Sequence, residues 1–417
     1  MVMNDSFSVA AHTLGCKVNQ YDTDALINQL KSMGLIVKNF SECADIYIVN
    51  TCTVTHVSDK KSRQMIRRAR KANPNGFVAV CGCMAKHKPD DAGEADFVFD
   101  ARQPDNFFEL VRTMKANTPL LEMNSCPQQQ NATDFLRTRA FLKIQDGCNR
   151  FCAYCIVPYA RGALISRPKS DILTEASTLI DSGTLEIVLT GIQVASYGDD
   201  NGENLAALIR QVAKISGLTR LRLSSIDPWA VNDAFLSAVA DSPTLCDHFH
   251  LSLQSGSDSV LQRMNRRYTT AEYAKTVEKL RKLRPACAIT TDIIVGFPGE
   301  TDADFQQSLD FVRAINFAQV HVFEYSPREG TPAATFNDQV PQRVKAERGV
   351  KMRALVAELR KNFLTSQVGK ILPVLFETKN KGHSTNYCPV EVICNADLTN
   401  TIQHVEITTC TETTLMG

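Results

Sequence analysis

Between residues 136 and 335, a short apolar run is followed by a helix-forming stretch six times over. The runs are 140–145, 186–190, 220–224, 248–253, 288–295 and 318–323, and helices are predicted in the gaps, for example over 171–182, 204–215 and 303–315. Repeated strand–helix units make successive strands parallel, because a crossover helix returns the chain to the edge it started from. Such a repeat predicts a parallel barrel, and six units instead of about eight predict an incomplete, open-sided one. An open side admits a macromolecule. In this architecture the loops that follow the strands carry the chemistry.

The first of those loops is Cys148-Asn149-Arg150-Phe151-Cys152-Ala153-Tyr154-Cys155. Three thiols in the pattern C-x3-C-x2-C can converge on one metal centre. A tetrahedral zinc site wants a fourth ligand, and no His or Cys follows within thirty residues. Three thiolates fit a [4Fe–4S] cluster whose fourth iron is left open to a substrate or cofactor. The alternative is a zinc loop completed from a distance.

The other post-strand loops have a common composition. They hold Thr190-Gly191-Ile192-Gln193, Ser224-Ser225-Ile226-Asp227-Pro228-Trp229, Gln254-Ser255-Gly256-Ser257 before Met264-Asn265-Arg266-Arg267-Tyr268, Gly296-Phe297-Pro298-Gly299-Glu300-Thr301 and Tyr325-Ser326-Pro327-Arg328-Glu329-Gly330-Thr331-Pro332. Any one of them reads as a plain turn. Together, at every C-terminal strand edge, they point to a shared site.

Residues 1–115 alternate in the same way, with strands over 8–13, 46–50, 77–81 and 95–99 and helices over 22–33, 57–72 and 106–114. This predicts an open parallel sheet with helices on its faces. Cys16, Cys52 and Cys83 each follow a strand, where loops gather into the ligand crevice of such a sheet. They form either a second three-thiol site or three inert buried thiols. Cys81 belongs to its strand, and Gly82 turns the chain so that Cys83 opens the loop. Cys43 precedes its strand and reads as structural. The second helix carries Lys60, Lys61, Arg63, Arg67, Arg68, Arg70 and Lys71 in one run of a single sign. It is either a solvated face or a surface for a phosphate backbone.

Residues 116–135, with three consecutive glutamines, two prolines and Cys126, read as a linker. A connecting helix is predicted over 336–365, with Arg343, Lys345, Arg348, Lys351, Arg353, Arg360 and Lys361 outward and Val350, Leu355, Val356 and Leu359 inward. Residues 366–417 hold short strands over 368–376, 386–394 and 403–409, as in a small β-barrel that either grips an oligonucleotide or merely closes the barrel before it. The predicted fold class is therefore α/β: an N-terminal open parallel sheet, a central partial (β/α)6 barrel and a small C-terminal β-barrel.

With 44% hydrophobic residues the chain can build full cores, and no run approaches the length of a membrane span. The first eight residues lack the pattern of a secretion signal, so fourteen cysteines are expected to serve as metal ligands or buried thiols in a reducing cytoplasm. A net charge of +1 leaves nucleic-acid binding to local basic patches.

The middle segment resembles the radical S-adenosylmethionine (SAM) enzymes, with Cys148, Cys152 and Cys155 matching their cluster motif. Asp146-Gly147-Cys148, Thr190-Gly191, Gln254-Ser255-Gly256-Ser257 and Gly296-Phe297-Pro298-Gly299-Glu300-Thr301 resemble the methylthiotransferase branch. So do Leu14-Gly15-Cys16-Lys17-Val18-Asn19-Gln20-Tyr21-Asp22, Val49-Asn50-Thr51-Cys52 and Cys81-Gly82-Cys83-Met84-Ala85. The resemblance covers nearly the whole chain. It implies a second [4Fe–4S] cluster on Cys16, Cys52 and Cys83, making two clusters with SAM as cofactor, and a C-terminal RNA-binding TRAM domain.

It also implies the chemistry. The open iron of one cluster binds SAM, reductive cleavage yields a 5′-deoxyadenosyl radical, and the other cluster presents the sulfur that is methylated and transferred. No side chain is then required as an acid–base catalyst. By loop position, Thr190 and Gly191 are expected near the methionyl end of SAM, Gln254 and Arg266 deeper in, and Gly296, Phe297 and Pro298 near the adenine. Residues 15–22 and 224–228 look most like the branch that modifies C2 of N6-threonylcarbamoyladenosine-37 in tRNA. The isopentenyladenosine branch typically has Gln-Met in place of Lys17-Val18. A tRNA anticodon loop, an electron donor such as a flavodoxin or ferredoxin, and a sulfur source are the implied partners. Other readings are methylthiolation of isopentenyladenosine, of an aspartate on a ribosomal protein, and a non-enzymatic Fe–S RNA-binding protein.

Overall fold

Apolar strands buried on both faces order the first sheet. The computed structural model describes residues 7–117 and 138–417. The expected linker over 116–135, with Cys126, lies almost wholly outside the described residues. Strands β1 (Ser8–Thr13), β2 (Ile36–Lys38), β3 (Ile46–Thr51), β4 (Phe77–Gly82) and β5 (Phe97–Val98) pair in parallel in the order β2-β1-β3-β4-β5. Every residue of β3 is buried, as two-sided coverage by helices requires. Helices α1 (Lys17–Ser32) and α4 (Asp105–Asn117) cover one face, where Leu26, Leu30, Phe107 and Val111 pack on Val9, Ile48 and Ala79. Helix α2 (His56–Ala72) covers the other, with Ile66 and Ala69 on Val49 and Val80.

Two details differ from the expectation. The edge strand β2 has only three residues, too few to show a period. Helix α1 starts at Lys17, not at 22, because its first turns bury Asn19, Asp22 and Thr23. Those polar residues hide the apolar signal.

The second unit contains β6 (Arg139–Asp146), a short antiparallel β7 (Ile165–Ser166), and then β8 (Glu186–Gly191), β9 (Arg220–Leu223), β10 (His248–His250), β11 (Ala288–Val295) and β12 (Gln319–Glu324). The parallel ladders run β6-β8-β9 and β10-β11-β12. Parallel bridges at Leu221–Leu245 and Ile226–Leu251 join the two ladders beside β9 and β10. These are the six expected parallel strands. Leu142, Ile144, Leu189, Leu221, Phe249, Ile289 and Ile293 pack with the surrounding helices. Because side chains alternate along a strand, Gln145, Thr190, Arg222, His250, Asp292 and their neighbours face the concave side.

The long helix runs Gln342–Thr365, and its cations do not all face outward. Lys345 and Arg348, expected outward, are buried, and Val350, expected inward, is exposed. Lys345 Nζ donates to the Tyr325 carbonyl at 3.2 Å. Arg348 meets Glu300 at 2.7 Å and Asp302 at 2.8 Å. A cation with an anchored partner can be buried, and a period count does not see the partner. Met352, Leu355 and Leu359 supply the apolar packing. No described helix is long and apolar enough to cross a membrane.

The tail forms one curled sheet. Its strands are β13 (Ile371–Phe376), β14 (Lys381–Ser384), β15 (Pro389–Glu391), β16 (Thr401–Glu406), β17 (Thr409–Cys410) and β18 (Leu415–Met416). Their order is β16-β13-β14-β15-β18-β17, a half-barrel around Leu364, Val374, Phe376, Val390 and Leu415. It rests on the N-terminal ends of the barrel strands. Arg220 donates to the His383 and Ser384 carbonyls at 3.0 and 2.9 Å, and Arg222 to the Thr385 carbonyl at 3.1 Å. Tyr387 lies under Arg222 at 4.6 Å and stacks on His248 at 4.9 Å.

Both arginines share the fully buried Glu186, at 2.8 Å each. Burial alone would raise the Glu186 carboxyl, but Arg222, Arg220 and Arg139 hold it down at about 2. Breaking such a set by removing one partner strands the others without compensation. Glu186→Ala is expected to cost about 3–5 kcal/mol in urea unfolding. Glu347→Ala, which removes an exposed pair with Arg343, is expected to cost under about 1 kcal/mol.

Candidate cluster and cofactor sites

The order β2-β1-β3 places a topological switch between β1 and β3, the crevice where open α/β sheets bind ligands. The loops after β1, β3 and β4 carry Cys16, Cys52 and Cys83. Gly15 adopts φ +98°, and a Cβ there would lie 2.9 Å from Cys52 Cβ and 3.0 Å from its Sγ, so only glycine lets the two loops meet. Cys16 caps α1 in an extended conformation. Asn19 ties the crevice together, donating to the Leu14 carbonyl at 2.7 Å and the Thr51 carbonyl at 2.9 Å. Gly82 turns at φ +89°, where a Cβ would strike the Thr51 backbone. Cys83 then opens the short helix α3 (Cys83–His87).

The three thiols are free. Burial raises the Cys52 thiol, with Cys16 adding to the rise. Burial pushes Cys83 up to about 11, against the pull of the neighbouring Arg161 guanidinium. Arg161 is itself buried, hydrogen-bonded to Asn19 and paired with Asp22 at 3.3 Å. Nothing in the sequence marked Arg161. Its role rests on partners about 140 positions away. Cys81 is fully buried in the apolar layer under α1 and α4.

The second trio shares the loop after β6. Gly147, at φ +67°, lets the chain turn against the Ala163 carbonyl, and Cys148 N–H donates to the Gly162 carbonyl at 3.1 Å. Phe151 sits at φ +47° and is half exposed. Asn265 donates to its carbonyl at 3.0 Å, and Ala153 N–H donates to the Met264 carbonyl at 3.0 Å.

Cys152 receives a hydrogen bond from Arg266 at 3.4 Å. Arg266 also donates to the Tyr268 hydroxyl at 2.9 Å and is paired with Asp227. Asp227 in turn accepts from Gln193, whose backbone N–H donates to Gln145 Oε1 at 2.8 Å. One polar chain thus runs Gln145–Gln193–Asp227–Arg266–Cys152. Arg150 lies over the Trp229 ring at 4.2 Å beside it.

The remaining residues expected near the cofactor are placed as follows. Thr190 and Gly191 end β8, and a Cβ at 191 would lie 2.9 Å from Gln145 Oε1. Gln254 has φ +73° and its N–H donates to the Asp292 carbonyl at 2.9 Å. Gly296 N–H donates to Glu300 at 2.9 Å. Phe297 is wholly buried among Ala153, Val260, Met264 and Tyr325, so its ring supports the cluster loop and only its backbone is available to a ligand. The Pro298 carbonyl accepts from Arg263 at 3.0 Å. Asp227 and Gln193 lie in loops that the sequence singles out, but their connection to Cys152 requires three strands to be in register.

The donor sets bear on what metal they suit. Thiolate donors at these spacings suit an iron–sulfur cluster.

Residues 142–312 match the radical SAM superfamily, and residues 8–101 match a family described as uncharacterized protein family UPF0004. Threonylcarbamoyladenosine tRNA methylthiotransferase MtaB of Bacillus subtilis is 39% identical, over 96% of this chain and 93% of its own length. The protein of the same name from Thermotoga maritima is 38% identical, over 89% and 86%. A tRNA-2-methylthio-N(6)-dimethylallyladenosine synthase of Wolbachia is 37% identical, over 90% and 89%. The radical SAM methyltransferase TsrM of Kitasatospora setae superposes with a TM-score of 0.59 at 15% identity, covering 79% of this chain and 77% of its own, a likeness of fold.

The crevice geometry separates Cys81, within β4, from Cys83, just after it. Anaerobically reconstituted wild-type protein is expected to hold about eight iron per chain. Cys83→Ala is expected to fall to about four, and Cys81→Ala to stay near eight; iron analysis reads the difference.

Proposed function

Because this chain belongs to the radical SAM methylthiotransferase family, with its two [4Fe–4S] clusters and SAM, we propose that it inserts a methylthio group at C2 of N6-threonylcarbamoyladenosine-37 in tRNA. What supports the proposal is that Cys16, Cys52 and Cys83 lie on the loops after β1, β3 and β4, at the switch-point edge of the first sheet, in a chain that holds a second three-thiol loop. Cys16, Cys52 and Cys83 would hold one cluster, and Cys148, Cys152 and Cys155 the other. When bound, these groups and SAM supply the hydrogen-abstracting radical, the sulfur and the methyl group.

The chain's own residues bind, orient and tune. Arg266, locked by Asp227 and Tyr268, donates to Cys152 Sγ, and hydrogen bonds to cluster sulfurs shift a cluster's reduction potential. Arg161 offers the same support to Cys83. Thr190 and Gly191, which end β8, and Gln254, Gly296, Phe297 and Pro298, in the loops after β10 and β11, would contact SAM, Phe297 and Pro298 through their backbone. No side chain is assigned as acid or base, since the cofactors perform the difficult chemistry.

The RNA-facing groups we assign are on α2 and the tail. Lys60, Lys61, Arg67, Arg68 and Lys71 are exposed, whereas Arg63 and Arg70 are engaged with Asp91 at 3.2 Å and Asp96 at 2.7 Å. The exposed members of the run suit phosphates. The half-barrel is the TRAM-like element, and its outer face offers a second RNA-binding surface. Position 37 lies in a single-stranded loop, so its base is reached with little unstacking. A flavodoxin- or ferredoxin-type donor and a separate sulfur source complete the reaction in the cytoplasm.

The dimethylallyladenosine relatives align nearly as well, so the same experiment must decide the base. Nucleoside mass spectrometry of tRNA from a deletion strain is expected to show threonylcarbamoyladenosine without its methylthio group and the isopentenyl derivative unchanged. Persistence of the methylthio group on the threonylcarbamoyl derivative refutes the assignment. For the RNA surface, Lys60→Ala with Lys61→Ala is expected to weaken tRNA binding. The slope of log affinity against log salt should fall by about one unit for each phosphate that is no longer neutralised.

A further inference from the structure

Strands β10, β11 and β12 place His250, Asp292 and His321 side by side on the concave face of the barrel. The register makes this possible: His250 pairs with Thr290, Thr290 with Gln319, and Asp292 with His321. The alternate residues Phe249, Ile289, Ile293 and Val320 are packed into the helical layer, so the three polar side chains point the other way. Their ligand atoms all lie within 4.8 Å of one another.

His250 is oriented by a partner. Its Nδ1 is 3.1 Å from Thr290 Oγ1, which also lies 2.9 Å from His248 Nε2. Its Nε2 is 3.2 Å from Asp292 Oδ2. With Nδ1–H donating to Thr290, the Nε2 lone pair would face a carboxylate, an arrangement that a cation between the two stabilises. A hydrogen bond from the non-ligating ring nitrogen is the arrangement that metal-binding histidines use. All three donors are on strands, which hold geometry better than loops.

We propose that His250, Asp292 and His321 form a binding site for one divalent transition-metal ion. Its side chains are not among the cysteine trios or the residues assigned to SAM, although the Asp292 carbonyl accepts from the Gln254 N–H. Two imidazoles and one carboxylate suit zinc, ferrous iron or nickel and not the oxygen-seeking magnesium or calcium. Three protein ligands leave a coordination position open. His321 is exposed and Asp292 partly so, so that position faces the concave side and takes an oxygen or nitrogen ligand from there.

Zinc ion is the probe. Protein carrying its full iron complement would be dialysed anaerobically against zinc, without SAM or tRNA, and metals counted by mass spectrometry. Wild type is expected to retain about one zinc per chain with no loss of iron. His321→Gln and Asp292→Asn are each expected to weaken zinc binding by about 10-fold or more, and Thr290→Val, through His250, by about 10-fold. The iron count and circular dichroism report whether each variant is folded. Zinc uptake that displaces iron, absence of zinc uptake by wild type, or equal uptake by wild type and folded variants each overturns the proposal. Because no step of methylthio transfer is measured, the result is independent of the assigned RNA substrate.

Discussion

Parallel strand polarity is the constraint on which both candidate sites depend. In a sheet whose strands all point one way, every loop after a strand emerges at the same edge. Cys16, Cys52 and Cys83 follow β1, β3 and β4. Cys148, Gly191, Asp227, Gln254 and Gly296 follow or end strands of the barrel. None of these residues needs to be near the others in sequence, because the backbone ladders already bring their loops together. The chemistry-bearing residues then differ from ordinary turn residues only in what they touch.

Buried charge is the second constraint. Glu186 among Arg139, Arg220 and Arg222, Glu300 with Arg348, and Asp22 with Arg161 are each removed from water and each paired. Such sets add little stability over an apolar core, but they are costly to break. They also act directionally. Arg220 and Arg222 leave donors aimed at tail carbonyls, which sets where the half-barrel attaches. Arg266, with Asp227 as its partner, is aimed at Cys152. The same device appears once as a joint and once as part of a site.

Much of this is legible in the amino-acid order alone. The six barrel strands, the cysteine spacing, and the placement of Cys81 in a strand with Cys83 in the loop after it follow from apolar runs, thiol chemistry and a glycine at the turn. What is not legible has a common cause. Helix α1 hides its first turns because Asn19, Asp22 and Thr23 are buried polar residues, and the inward face of the helix Gln342–Thr365 is disguised because Lys345 and Arg348 are buried cations. Periodicity treats polar as outward. The rule fails where a partner from a distant segment waits inside.

The amino-acid sequence by itself determined the local pieces: which stretches are strands, which loops bear thiols, and that three thiolates in eight residues suit iron and sulfur. Those outcomes depend on interactions within a few residues, which composition and spacing encode. Only the tertiary structure decided which polar residues became neighbours. The pairing of Arg161 with Asp22, the chain from Gln145 to Cys152, and the His250, Asp292 and His321 set all depend on how distant segments pack and on strand register. Register is fixed by cooperative packing of whole faces, where a slip of one residue turns every side chain over. No single residue in the chain carries that information.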